Sequence, residues 1–116
     1  MNTNLYDYAY ELEKAMRSSD EFKHLQEMYK SVTNDSEASQ MFDEFRNVQM
    51  QLQQKQMQGY DITEDEVMRA QEIANRAQEN EKVTMLMEAE QRMSMTITEL
   101  NKIIMKPLDD LYGSMA

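Results

Sequence analysis

Few residues in this chain have the type and spacing to do chemistry. Glu21-x-x-His24 places a carboxylate and an imidazole one helical turn apart. Di-metal sites in helical bundles use two such pairs plus two further Glu residues. The chain has one histidine, so it supplies a single pair and only a symmetric dimer would double it. An exposed helical histidine is the simpler reading. The 13 methionines include two M-x-M pairs, Met85/Met87 and Met93/Met95. Soft thioethers select Cu(I), but most of these methionines fall on core-facing stripes with no Cys or His beside them. With no cysteine there is no thiol nucleophile, thiolate metal site or disulfide.

The carboxylates do not assemble a site either. Mg²⁺-dependent helical hydrolases need carboxylates repeated at i, i+3 or i+4 on facing helices. Asp43 and Glu44 are adjacent and flanked by Phe42 and Phe45. Glu64, Asp65 and Glu66 suit the positive N-terminus of a helix. Glu79, Glu81, Glu88 and Glu90 diverge around a helix and read as a solvated face. No Gly-rich phosphate loop and no Ser/His/Asp set is present. The expectation is therefore a non-enzymatic protein with no catalytic residue, cofactor or metal. A small metal-dependent bundle hydrolase and a chaperone-like holdase remain the alternatives. Mn²⁺ calorimetry tests the first, and aggregation suppression of unrelated clients tests the second.

The elements that would position these residues are helical. The 116 residues suit one domain, and their two Gly and one Pro leave long uninterrupted stretches of helix formers. Net charge is −10, which opposes phosphate-backbone binding and an anionic membrane surface. No window is long and apolar enough for a membrane span, and "MNTNLYDYAYELEK" lacks the basic start of a signal peptide. A cytoplasmic location is expected.

Apolar spacing predicts helices over about 4–17, 20–32, 36–58 and 63–106, with a short turn over 107–112 beginning at Pro107. Ser18 or Ser19 would cap the second helix, with Glu21 completing a box, and Asn34 with Glu37 would start the third. In the third, Ala38, Met41, Phe45, Val48 and Leu52 form a seam with Phe42 beside it. Gly59 suits a helix C-terminus. Thr63 and Glu66 make a capping box, with Ile62 and Val67 as a hydrophobic staple. A helix over 63–106 would extend roughly 65 Å. Its apolar stripe changes phase near Asn80, where a kink or a change of partner would fall.

The stretch "RMSMTITELNKIIMKPL" carries four charged residues and is amphipathic. Met93, Ile97, Leu100 and Ile104 share one face, the pattern of a core helix. Met87, Met95 and Met105 point off that face, where adaptable methionines suit a second apolar surface for a partner chain. The Gln-rich "NVQMQLQQKQMQ" reads as the exposed side of a helix tip. The interface expected here comprises Met87, Met95, Ile97 and Met105 with Gln53, Gln54, Met57 and Gln58.

"MFDEFRNVQMQLQQKQMQGYDITEDEV", "LMEAEQRMSMTITELNKIIMKPLDDLYG" and the opening "NLYDYAYELEKAMRSSDEFKHL" together resemble the YlbF/YmcA family of Gram-positive bacteria, in its YheA-like branch. The resemblance covers essentially the whole chain. It implies an all-α fold: a long antiparallel helical hairpin with shorter N-terminal helices, its bundle completed by oligomerisation. It also implies a self-associating regulatory protein, homodimeric or larger. Relatives act in competence, sporulation and biofilm control together with an endoribonuclease, so a paralogue or an RNA-processing enzyme is the implied partner. Some relatives hold an iron–sulfur cluster through cysteines; this chain has none, and that feature does not carry over.

Overall fold

The computed structural model describes residues 4–113, and every regular element among them is an α-helix. In chain order these are α1 (Leu5–Ser18), α2 (Asp20–Thr33), α3 (Ser36–Met57), α4 (Glu64–Glu79) and α5 (Glu81–Tyr112). They fall into two compact units. One joins the described residues up to Leu25 with those from Glu88 on, and the other spans Gln26–Met87.

The second unit is built on the α3–α4 hairpin. Asp35 caps α3, its carboxylate accepting from the backbone N–H groups of Glu37 and Ala38 at 3.1 and 3.2 Å. The sequence pointed to Asn34; Asp35 takes the role because it has the extended backbone of a cap and a charged acceptor for orphan N–H groups. At the far end Gly59 adopts φ 78°, a conformation a side chain would disfavour. Gly59 N–H then donates to Gln56 and Tyr60 N–H to Lys55, at 3.2 and 2.9 Å. This paired closure satisfies the last carbonyls of α3 and turns the chain back. The Thr63–Glu66 capping box opens α4 as the spacing predicts. Val67, the expected staple residue, nevertheless keeps 51% of its surface exposed.

In place of one helix over 63–106 there are two. Asn80 has an extended ψ of 117° and ends α4. Its N–H donates to Ala77 O, and its side-chain Oδ1 accepts from Val83 N–H at 3.1 Å, so the same residue starts α5. Thr84 Oγ1 seals the junction by donating to Gln78 O and Asn80 O, each at 3.0 Å. Asn closes one helix and opens the next because its short amide replaces the missing helical bonds. The expected turn at Pro107 is also replaced, since α5 continues through Pro107 to Tyr112. Proline removes the donor for the Ile103 carbonyl. Residues 103 and 107 are exposed, so water can satisfy that carbonyl.

Of the two serines expected to cap α2, Ser19 starts it. Its Oγ accepts from Phe22 N–H at 3.2 Å while donating to Met16 O at 2.6 Å, so one hydroxyl serves both helix ends. The buried side chains of the second unit are Val32, Ala38, Phe42, Ile73, Ala77, Val83 and Leu86; those of the first are Ala89 and Met93. Arg46 lies over the Phe42 ring at 5.1 Å, a cation–π contact on the helix surface.

Leu86 has no exposed surface. Replacing it with Ala should lower unfolding free energy by about 2–5 kcal/mol. Thr63→Ala, which removes the cap of α4, should cost about 1 kcal/mol. Urea denaturation followed by helical ellipticity measures both.

Candidate interaction surfaces

The hairpin is fastened at both ends by lysine–carboxylate pairs. Near the tip, Lys55 Nζ on α3 donates to Glu66 Oε1 on α4 at 2.5 Å. At the base, Lys82 Nζ donates to Asp35 Oδ2 at 2.9 Å. The first pair joins α3 to α4, and the second joins the cap of α3 to the first turn of α5. The Lys82 hydrogen bond, helped by the Ala38 N–H, holds the Asp35 carboxyl below its ordinary range. The Lys55 hydrogen bond does the same for Glu66, with Thr63 contributing. Both carboxylates also cap helices, so two stabilising roles rest on one charge at each end.

Between the fastened ends the hairpin carries an open groove of about 510 Å³, lined by Glu44, Asn47, Val48 and Gln51 of α3 and Arg69, Glu72, Ile73 and Arg76 of α4. Its floor is apolar: Ile73 is buried and Val48 half-buried. Arg76 pairs with Glu72 at 3.7 Å. Neither Arg69 nor Glu44 has an ion-pair partner among the described residues. Sequence reasoning weighed Glu44 only as a metal-site carboxylate beside Asp43 and did not single out Arg69, which looks like an ordinary solvated helix charge. Only the pairing of α3 with α4 brings them to one surface.

The second surface lies on α5. Its stripe is buried as far as Met93 and then opens. Leu100 is half-buried, Ile97 is exposed, Ile104 is 60% exposed, and every residue from 101 to 113 is exposed. The expectation of a core-facing stripe through Ile104 thus holds only for its first part, because no described residue covers the remainder. Leu108 and Leu111 extend the stripe with 47% and 69% exposure. In the same unit, α1 shows Leu5 and Tyr8 exposed one turn apart, leading into half-buried Leu12 and Met16.

The residues expected at an interface divide between these regions. Met95, Ile97 and Met105 are exposed on α5, whereas Met87 is half-buried. Gln53, Gln54, Met57 and Gln58 are all exposed around the hairpin tip, and Met57 is the most open of the large apolar residues. His24 is half-buried beside Asp20, Glu21, Ala89 and Arg92 in a depression of about 240 Å³. Among the described residues no three His, Asp or Glu side chains come close enough to hold a metal ion. No described helix is long and apolar enough to cross a membrane.

A helical hairpin with capped turns and open apolar stripes leaves the family to be decided by comparison. The family model described as "Control of competence regulator ComK, YlbF/YmcA" matches residues 5–109. The chain belongs to the YlbF/YmcA family. A UPF0342 protein of Bacillus velezensis is 59% identical, covering 98% of each chain. UPF0342 protein YheA of Bacillus subtilis is 56% identical over 99% of this chain and 98% of its own. Among solved structures, a DUF964 protein of unknown function from Bacillus stearothermophilus superposes with a TM-score of 0.88 at 43% identity, covering 97% of this chain and 98% of that one. YheA from Bacillus subtilis superposes with a TM-score of 0.75 at 47% identity, covering 95% of this chain and all of that one. The all-α hairpin fold expected from the sequence is thus the fold of this family.

The two fastening pairs give the hairpin a pH dependence of known sign. Asp35 and Glu66 ionise more readily folded than unfolded. Their stabilisation is therefore complete above the unfolded carboxylate values, near about 4, and is lost as pH falls through the lower folded values. Thermal melts followed by circular dichroism should show the midpoint dropping on acidification. A Lys55→Met, Lys82→Met double variant should melt slightly lower at neutral pH and lose part of that acid dependence, the part supplied by the lysines rather than by backbone N–H groups.

Proposed function

We propose that this chain is a non-enzymatic, cytoplasmic interaction protein that self-associates as a homodimer or larger assembly. In that form it serves as an adaptor in developmental regulation, with a paralogue or an RNA-processing enzyme as its further partner. The observation that carries this reading is the uncovered apolar stripe of α5. Ile97, Ile104, Leu108 and Leu111 recur at helical spacing on one face and remain exposed. Burying each such side chain is worth about 1.5–3 kcal/mol. A contiguous row of them is the kind of driving force that offsets the cost of association. Exposed Leu5 and Tyr8 on α1 add apolar surface within the same unit.

The regulatory part of the proposal draws on the family description, which concerns control of the competence regulator ComK. The net charge of −10 favours protein partners over direct nucleic-acid or membrane contact. The exposed Gln53, Gln54, Met57 and Gln58 at the tip offer a second, adaptable contact for the further partner.

Light scattering coupled to size exclusion tests self-association. Ile104→Glu with Leu108→Glu should reduce the mass in solution to that of one chain while leaving helical ellipticity intact. Met87, Met95 and Met105 replaced by Gln, on other faces of α5, should weaken assembly less. Unchanged mass in the Ile104/Leu108 variant would reject α5 as the self-association surface.

A further inference from the structure

The exposed stripe of α5 reads alike in both directions from Ile104. Leu100 and Leu108 lie four residues to either side, and Ile97 and Leu111 lie seven. Ile103 and Met105 flank Ile104. All are exposed except half-buried Leu100. Because α5 stays helical through Pro107, the stripe is continuous over about 21 Å. The charges are matched in the same way, Lys102 with Lys106 and Glu99 with Asp109. At 3.6 residues per turn these four lie about 140–160° around the helix from Ile104, away from the stripe. The apolar spacing of three, four, four and three departs from a heptad seam, whose next position after Ile104 would be Pro107.

We infer that α5 packs antiparallel against α5 of a second copy, about a two-fold axis level with Ile104. This pairing rests on the self-association proposed above and fixes its direction and register. A two-fold that reverses one helix against another lies in the contact plane, at right angles to both helices. It sets each residue level with the one equally far beyond the axis on the other copy. Only a stripe that repeats on both sides of its centre then fills every layer from both helices. Ile97 meets Leu111 of the other copy, Leu100 meets Leu108, and the two Ile104 side chains meet at the axis. Ile97 and Leu111 lean to opposite sides of the stripe, as do Leu100 and Leu108, so the side chains of a layer sit side by side. A parallel pair or an unrelated helix makes no such demand on the sequence. The fold also opposes a parallel pair. Met93 lies on the same face and is buried, so parallel helices would drive the residues covering Met93 in one copy into those of the other. The antiparallel register sets Tyr112, the last residue of α5, level with Thr96 of the other copy. The second helix therefore ends where that cover begins. A parallel pair would also gather Asp109 and Asp110 of both copies at the negative ends of both helices.

The chain has no cysteine, so single introduced thiols report the register. Ile97→Cys and Leu111→Cys are made in separate full-length chains. Each is treated with a short bismaleimide alone and as an equilibrated equimolar mixture, and dimer is read by denaturing electrophoresis. The mixture should crosslink, and each chain alone should give less than about a tenth as much, because antiparallel pairing holds identical positions roughly 21 Å apart. Both residues are exposed, so helical ellipticity should not change. A second reading compares Ile97→Glu/Leu111→Lys with Ile97→Glu/Leu111→Glu in sedimentation velocity at low salt. The two variants lose the same apolar surface. The first should dimerise about tenfold or more tightly than the second, since only in it do opposite charges meet across the axis. The antiparallel register is overturned if Ile97→Cys crosslinks with itself as readily as with Leu111→Cys, or if the Glu/Lys variant is no tighter than the Glu/Glu variant. An unmodified chain that scatters as a dimer while the mixture gives no crosslink also overturns it, and leaves self-association to another surface. An unmodified chain that scatters as one copy throughout overturns both the register and the self-association beneath it.

Discussion

Lys55–Glu66 ties α3 to α4 near the hairpin tip, and Lys82–Asp35 ties the cap of α3 to the first turn of α5. The helices between them are rich in polar residues, and their apolar seam is narrow. Ala38 and Ala77 are small and fully buried, with Phe42 and Ile73 supplying most of the bulk. The carboxylate of each pair also helps cap a helix, Asp35 at the start of α3 and Glu66 at the start of α4.

The break at Asn80 has a comparable effect on α5. A straight continuation of α4 would keep one apolar phase from Val67 onward. The extended residue resets the phase, so that Val83 and Leu86 become fully buried and the stripe beyond Met93 emerges on a surface of its own. The chain thereby carries more apolar helix surface than it covers.

Much of this was written in local residue order. Helix content followed from composition, the starts of α3 and α4 from short polar residues with charged neighbours, and the reversal at Gly59 from the one residue able to take φ 78° cheaply. These features depend on contacts within a few positions, which sequence spacing records. The one-residue difference of Asp35 from Asn34, and the choice of Ser19 from the pair Ser18 or Ser19, arose where two adjacent residues could both cap and only the folded backbone chose between them. At Pro107 the local rule predicted a boundary, but solvent exposure relieved the missing hydrogen bond.

The sequence alone therefore determined an all-helical chain, the Thr63 cap, the hairpin turn and the family. Tertiary structure alone decided which part of the α5 stripe is covered, whether the helix after Thr63 is one or two, and which charges find partners. The physical reason is range. Caps and turns are set by atoms a few residues apart, whereas burial and ion pairing depend on helices distant in sequence. Leu86 and Ile104 occupy similar places in a helical pattern, yet one is sealed and the other is open. Arg69 and Arg76 lie on one face of α4, yet only Arg76 has its carboxylate.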